Sequence, residues 1–152
     1  MIAGCGNSGF DKHHISLNSP KGVDTHYFPE GRRLKTDGKP YMLFFFGTDC
    51  GVCKAAIPDL NALEKEYGKE VQFIGILGPS KGFDKDIELL KEHNITFKTT
   101  SDKVSVDYFS KAVGGVMGVP VIYFFDKDGK MRSKFIGLTP KSVLEGAIRS
   151  LL

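Results

Sequence analysis

The chain has 152 residues and three cysteines, a number of thiols that cannot all pair within one molecule. At this length one domain is expected, and roughly 68–70% of the unfolded chain's surface can be buried, enough for a core without disulfide staples. With 41% hydrophobic residues, 26% charged residues and 12 Phe, the composition excludes a disordered or collagenous chain. The net charge of +3, from 21 basic and 18 acidic residues, is weak and scattered, which argues against nucleic acid or an anionic membrane surface as partner. Tyr41 to Phe46 is the longest apolar stretch and is far shorter than the 18 or so residues of a spanning helix.

Residues 1–23 mix Gly, Asn, Ser, Asp, Lys, His and Pro without a sustained hydrophobic period, and are expected to form a tether ahead of a domain over 24–152. The aromatic run Tyr41–Phe46, stopped by Gly47, predicts a central strand buried on both faces. From Cys53 to Tyr67, Ala56, Ile57, Leu60, Leu63 and Tyr67 recur at helical spacing, and Gly68 ends that helix. Val71–Leu77 reads as a second buried strand closed by the loop Gly78–Gly82.

A helix over Asp84–His93 and a short strand over Ile95–Thr100 are predicted next. Val104–Val113 follows as a third helix, with Val106, Phe109 and Val113 inward. Beyond the glycines at 114, 115 and 118, the apolar stretch Val121–Asp126, the turn residues 127–130 and Met131–Ile136 predict an antiparallel hairpin. Thr139 as N-cap and Pro140 at the first helical position open a last helix, with Val143, Leu144, Ala147, Ile148 and Leu151 inward. This order defines an α/β domain with a central mixed sheet flanked by helices on both faces.

Cys50-Gly51-Val52-Cys53 lies between the most hydrophobic strand and the clearest helix. Unpaired N–H groups and the positive end of the dipole at a helix start favour a thiolate over a thiol. Cysteines so placed titrate at roughly 3.5–7.5 instead of about 8.5. Cys50 is therefore the expected nucleophile, and Cys53, one turn away, can attack and release a mixed disulfide on Cys50. A zinc site is the competing reading of this spacing, but tetrahedral zinc needs two further ligands. Cys5 stands alone, and His13, His14, His26 and His93 form no matching pair.

The chain from about Lys39 onward resembles the thioredoxin superfamily, and within it the extracytoplasmic, membrane-tethered TlpA/ResA-type thiol-disulfide oxidoreductases. The resemblance rests on Phe44-Phe45-Phe46-Gly47-Thr48-Asp49-Cys50-Gly51-Val52-Cys53-Lys54-Ala55-Ala56-Ile57-Pro58, on Gly118-Val119-Pro120 and on Phe125-Asp126-Lys127-Asp128-Gly129-Lys130. It implies a thioredoxin-like fold whose only redox group is the cysteine pair, with no bound cofactor and no metal. Pro58 matches the proline that kinks the active-site helix. Val119-Pro120 matches the cis-proline element that faces the disulfide and pairs with an extended substrate. The implied partners are cysteine-containing exported proteins such as cytochrome c apoprotein, with a membrane thiol-disulfide electron donor; the protein itself is read as a monomer.

Three positions depart from that pattern. Phe44 stands where many thioredoxins carry a buried Asp, Ala56 where ResA-like proteins carry a Glu, and Asp49 where a Trp usually precedes the first cysteine. Asp49 opposes a thiolate on Cys50, whereas Lys54 and the helix terminus favour one. A peroxidase of the same fold is the alternative enzyme, but Thr48 and Pro40 do not have peroxiredoxin spacing. A metal-binding or metallochaperone role is the non-enzymatic alternative, although a copper carrier of this fold needs one more residue between its cysteines.

Ile2-Ala3-Gly4-Cys5-Gly6 resembles a bacterial lipobox, in which the cysteine receives lipid. Only four residues precede Cys5, so the charged and apolar parts of a secretory signal are not in this sequence. Cys5 is read as a lipid anchor holding the domain on the periplasmic or extracytoplasmic side of the membrane, or else as an incidental thiol of a cytoplasmic protein that starts at Met1.

Overall fold

The expected central strand is β4 (Tyr41–Phe46), all six of whose side chains are buried. Its alternating side chains divide the molecule into two cores. Met42, Phe44 and Phe46 face one way, and Tyr41, Leu43 and Phe45 the other. The computed structural model describes residues 9–152. In it, β4 pairs in parallel with β5 (Gln72–Leu77), which pairs in parallel with β6 (Lys98–Thr100). On its other side β4 pairs antiparallel with β7 (Val121–Phe125), itself antiparallel to β8 (Met131–Ile136). The sheet is thus mixed, in the order β6-β5-β4-β7-β8.

Helix α1 (Gly51–Tyr67) follows β4, and its buried residues include all five expected from the spacing. Together with α2 (Phe83–Glu92) and α4 (Lys141–Arg149) it supplies the helical side of the first core, through residues such as Leu60, Leu89 and Ile148. Helix α3 (Lys103–Ala112) covers the second through Phe109, with Val106 and Val113 packed at its edge. In α4, Leu144 and Ile148 are buried, Ala147 and Leu151 pack at the core margin, and Val143 is exposed. Pro140, not Thr139, caps that helix. The Thr139 hydroxyl turns back to donate to the Gly137 carbonyl at 3.3 Å and is not available as a cap.

The larger correction is at the start of the chain. The described part of the expected tether belongs to the fold: β1 (Phe10–His14), β2 (Val23–Phe28) and β3 (Arg33–Lys35) form a second, antiparallel sheet. This sheet shares with α3 the cover of the second core, through Val23 and Leu34. Hydrophobic periodicity misses β1 because the one fully buried side chain of Phe-Asp-Lys-His-His is His14. Its ring packs against both Tyr108 and Phe109, with Nδ1 2.8 Å from Ser105 Oγ and Nε2 3.0 Å from Thr25 Oγ1. A polar plug with both nitrogens satisfied thus docks the hairpin where an aliphatic side chain would usually be sought.

Gly75 sets the close approach within the main sheet. A Cβ there would lie 2.6 Å from Thr99 Oγ1 and 2.9 Å from the Phe97 ring.

Candidate active site

The β4 strand ends at Phe46 and delivers the next four residues to the sheet's carboxyl edge, where α1 begins. Cys50 is the N-cap: its φ of −98° and ψ of 101° are extended, and its sulfur accepts from the Cys53 amide at 3.1 Å. A sulfur in that position receives one of the orphan N–H groups of the first turn. Cys50 and Cys53 form a disulfide with a Cα–Cα distance of 5.2 Å.

The two sulfurs have different surroundings. Cys50 is partly exposed, whereas Cys53 is fully buried in the first core with Phe44 and Ala56 among its members. Phe44 stacks on Phe46 at 4.8 Å between centroids, with the Phe97 ring edge-on at 6.0 Å. At the two positions where the resemblance led one to look for a carboxylate, the core is therefore apolar. Charge on the Cys53 sulfur is disfavoured there, while Cys50 faces both solvent and the helix terminus.

Gly51 and Val52 form the exposed first turn of α1, and Pro58 lies within that helix on an exposed position. The Val119-Pro120 bond is cis. Its carbonyl oxygen, on Val119, is 3.9 Å from Cys50 Sγ, while Pro120 is buried. Four of the sequence-derived positions, Cys50, Gly51, Val52 and Val119, thus border one surface, with Cys53 and Pro120 beneath and Pro58 further along the helix. Cys5 lies outside the described residues.

Sequence reasoning missed the opposite wall. The loop after β5 runs beside the loop after β4 because these parallel strands are neighbours, and both loops leave from the same edge. There Lys81 Nζ is 2.7 Å from Asp49 Oδ2, and the hydrogen bond, then the charge, of Lys81 hold the Asp49 carboxyl below its usual range. Asp86, fully buried, fixes this loop by accepting from the Ser80 hydroxyl, from Ser101 Oγ at 2.8 Å and from the Lys81 amide at 3.0 Å. The signal was present as Gly78-Pro79-Ser80 directly after a buried strand, but the partner of Ser80 is six residues on, inside a helix.

A thioredoxin-type sheet with a cysteine pair at the helix start beside a proline loop defines a disulfide-exchange protein. The chain belongs to the Redoxin family, whose model matches residues 33–148, and within the thioredoxin superfamily it is ResA-like. It is 28% identical over 162 residues to the thiol-disulfide oxidoreductase ResA of Bacillus cereus, with 97% of this chain and 90% of the relative covered. The thiol-disulfide oxidoreductase YkuV of Bacillus subtilis is 28% identical over 120 residues, covering 75% of this chain and 78% of YkuV. Among solved structures, a secreted Mycobacterium tuberculosis disulfide oxidoreductase homologous to E. coli DsbE superposes with a TM-score of 0.68. That match has 20% identity and covers 92% of this chain and 96% of the other. The protein is a thiol-disulfide oxidoreductase acting on cysteine-containing substrate proteins.

Proposed function

We propose that Cys50 attacks and Cys53 resolves, in the direction of substrate reduction. The observation that carries this division of roles is the asymmetry of the pair, one sulfur partly exposed at the helix N-cap and the other fully buried, while the reducing direction follows from the ResA-type resemblance. The Cys50 thiolate attacks one sulfur of a substrate disulfide, forming a mixed disulfide and releasing the first substrate sulfur as a thiolate. The Cys53 thiolate then attacks the Cys50 sulfur; the Cys50–Cys53 disulfide forms and the second substrate thiolate leaves. Two electrons pass to the substrate, and the two protons given up by Cys50 and Cys53 match the two taken up by the substrate thiolates. Val119 and Pro120 shape the groove in which the substrate segment lies.

The substrate class we favour is exported cysteine proteins, cytochrome c apoprotein among them. A membrane thiol-disulfide donor returns the two electrons, Cys5 carries the lipid, and the domain works as a monomer in the periplasm or another extracytoplasmic space. The ResA resemblance supports this, as does likeness to a neighbour described as secreted. Among the described residues no helix is long and apolar enough to cross a membrane.

The test is capture in cells. A Cys53→Ser variant should accumulate mixed disulfides through Cys50, and Cys50→Ser should accumulate none. Capture through Cys5 alone would overturn the assignment of Cys50. A Cys50/Cys53 reduction potential as high as that of a strong oxidant such as DsbA, about −120 mV, would reverse the direction.

A further inference from the structure

Beside Val119, a cavity of about 490 Å³ opens between the loop after β5, helix α3 and the loop before β7. That volume is in the range of small-ligand sites, roughly 300–1,000 Å³. Phe45, Pro79, Val106, Val116 and Val119 contribute apolar walls, and Ser110 of α3 lies among them. Val119 joins the cavity to the redox centre, since its side chain lines the one and its carbonyl oxygen lies 3.9 Å from Cys50 Sγ. Gly47 lies next to both: a Cβ there would sit at ordinary contact distance, 3.6 Å from Val119 Cγ2 and 3.8 Å from Cys50 Cβ.

The charges around the cavity are already matched. At its rim Lys103 Nζ is 2.8 Å from Asp107 Oδ2. The hydroxyls of Ser80 and Ser101 are both engaged by the buried Asp86. The lining carries one acid and one base, Asp107 and Lys103, already paired with each other, so an incoming carboxylate or ammonium finds no unpaired charge there.

An extended segment held by a cysteine on Cys50 turns alternate side chains to the same face, two residues spanning about 6.6–6.8 Å. We propose that this cavity seats an uncharged apolar side chain of the substrate protein two positions from the cysteine held on Cys50. The proposal rests on the disulfide-exchange reading and adds to it a preference for sequence around the substrate disulfide.

The experiment uses the reduced full chain and a series of disulfide-bonded peptides that differ only at the positions two residues before and after the reacting cysteine. 2-Hydroxyethyl disulfide serves as a probe with no side chains. Wild type should react at least about tenfold faster with peptides carrying Leu or Phe at one of those positions than with peptides carrying Asp or Lys. Ser110→Phe, which fills the cavity, should bring these rates within about twofold of each other and leave the 2-hydroxyethyl disulfide rate unchanged. A flat wild-type profile overturns the subsite, and so does a preference that survives in a folded Ser110→Phe protein. The wild-type series decides the matter even if that variant does not fold. Failure to react with 2-hydroxyethyl disulfide would instead strike at disulfide exchange itself.

Discussion

Lys81 reaches across from the loop after β5 to place its ammonium 2.7 Å from the carboxylate of Asp49, the residue directly before Cys50. An anion beside a developing thiolate opposes it, and the ion pair offsets that opposition. Lys81→Ala should raise the titration midpoint of the Cys50 thiol, because the Asp49 charge is then no longer offset. Asp49→Asn should lower it, and in that background Lys81→Ala should have little further effect. Thiolate absorbance of the reduced protein against pH reads all four states of the cycle. An undiminished effect of Lys81→Ala in the Asp49→Asn protein would show that the lysine acts on Cys50 by another route.

Burial pushes the His14 imidazole down to about 4 from 6.5; Asp102 and Asp24 act upward, and Lys12 and His13 act downward. Because the folded value is below the unfolded one, the proton favours the unfolded chain. The associated stability is full above about pH 6.5 and is lost as pH falls toward and through about 4. Thermal melts between pH 7 and pH 4 should show a steeper loss for wild type than for His14→Gln. At pH 7 the same substitution should cost about 1–3 kcal/mol, since Ser105 and Thr25 keep their polar groups in a buried site with imperfect partners. Parallel melting curves for the two proteins would remove His14 from the acid response.

Asp86 is the organiser of the loop that carries Pro79 and Lys81. Asn in its place has one acceptor oxygen where the carboxylate has two, and its amide group cannot accept from the Lys81 N–H or a serine hydroxyl in the same way. Urea unfolding of Asp86→Asn should show a loss of about 2–3 kcal/mol. Hydrogen exchange should rise at Lys81 and Gly82 more than in β4, whereas a uniform rise would mean that Asp86 supports the whole fold and not this loop.

Gly75→Ala inserts a methyl group against Thr99 and Phe97 at distances that ordinary packing does not allow. Overpacking of this kind costs about 1–3 kcal/mol. The denaturation midpoint should fall, because the Phe46 ring of β4, 3.2 Å from such a Cβ, must give way as well as the residues toward β6. An unchanged midpoint in urea would show that the sheet absorbs the methyl group.

The main sheet and the cysteine pair were legible because each followed from a local rule. Six consecutive apolar residues at Tyr41–Phe46, five inward residues at helical spacing after Cys53, and a turn at Asp126–Lys130 each specify their element without distant partners. The small sheet was not legible, because β1 is recognised only through β2 and through what His14 meets in α3. The wall formed by Pro79, Lys81 and Asp86 was hidden for the same reason. Asp86 is a charged residue in an amphipathic helix, a position ordinarily solvated, and only the fold brings Ser80 and Ser101 to it.

The edge of the main sheet beyond β6 is not left open. The Leu17 amide donates to the Thr99 carbonyl at 2.8 Å, and the Asn18 side chain donates to Phe97 O at 2.9 Å and accepts from the Thr99 amide at 3.1 Å. On the opposite edge, β8 carries Arg132 and Lys134. An extended substrate segment that reached a bare sheet edge could pair with it and stay. With one border occupied by its own backbone and the other guarded by positive charge, the domain can hold a client through a sulfur bond and still let go of it.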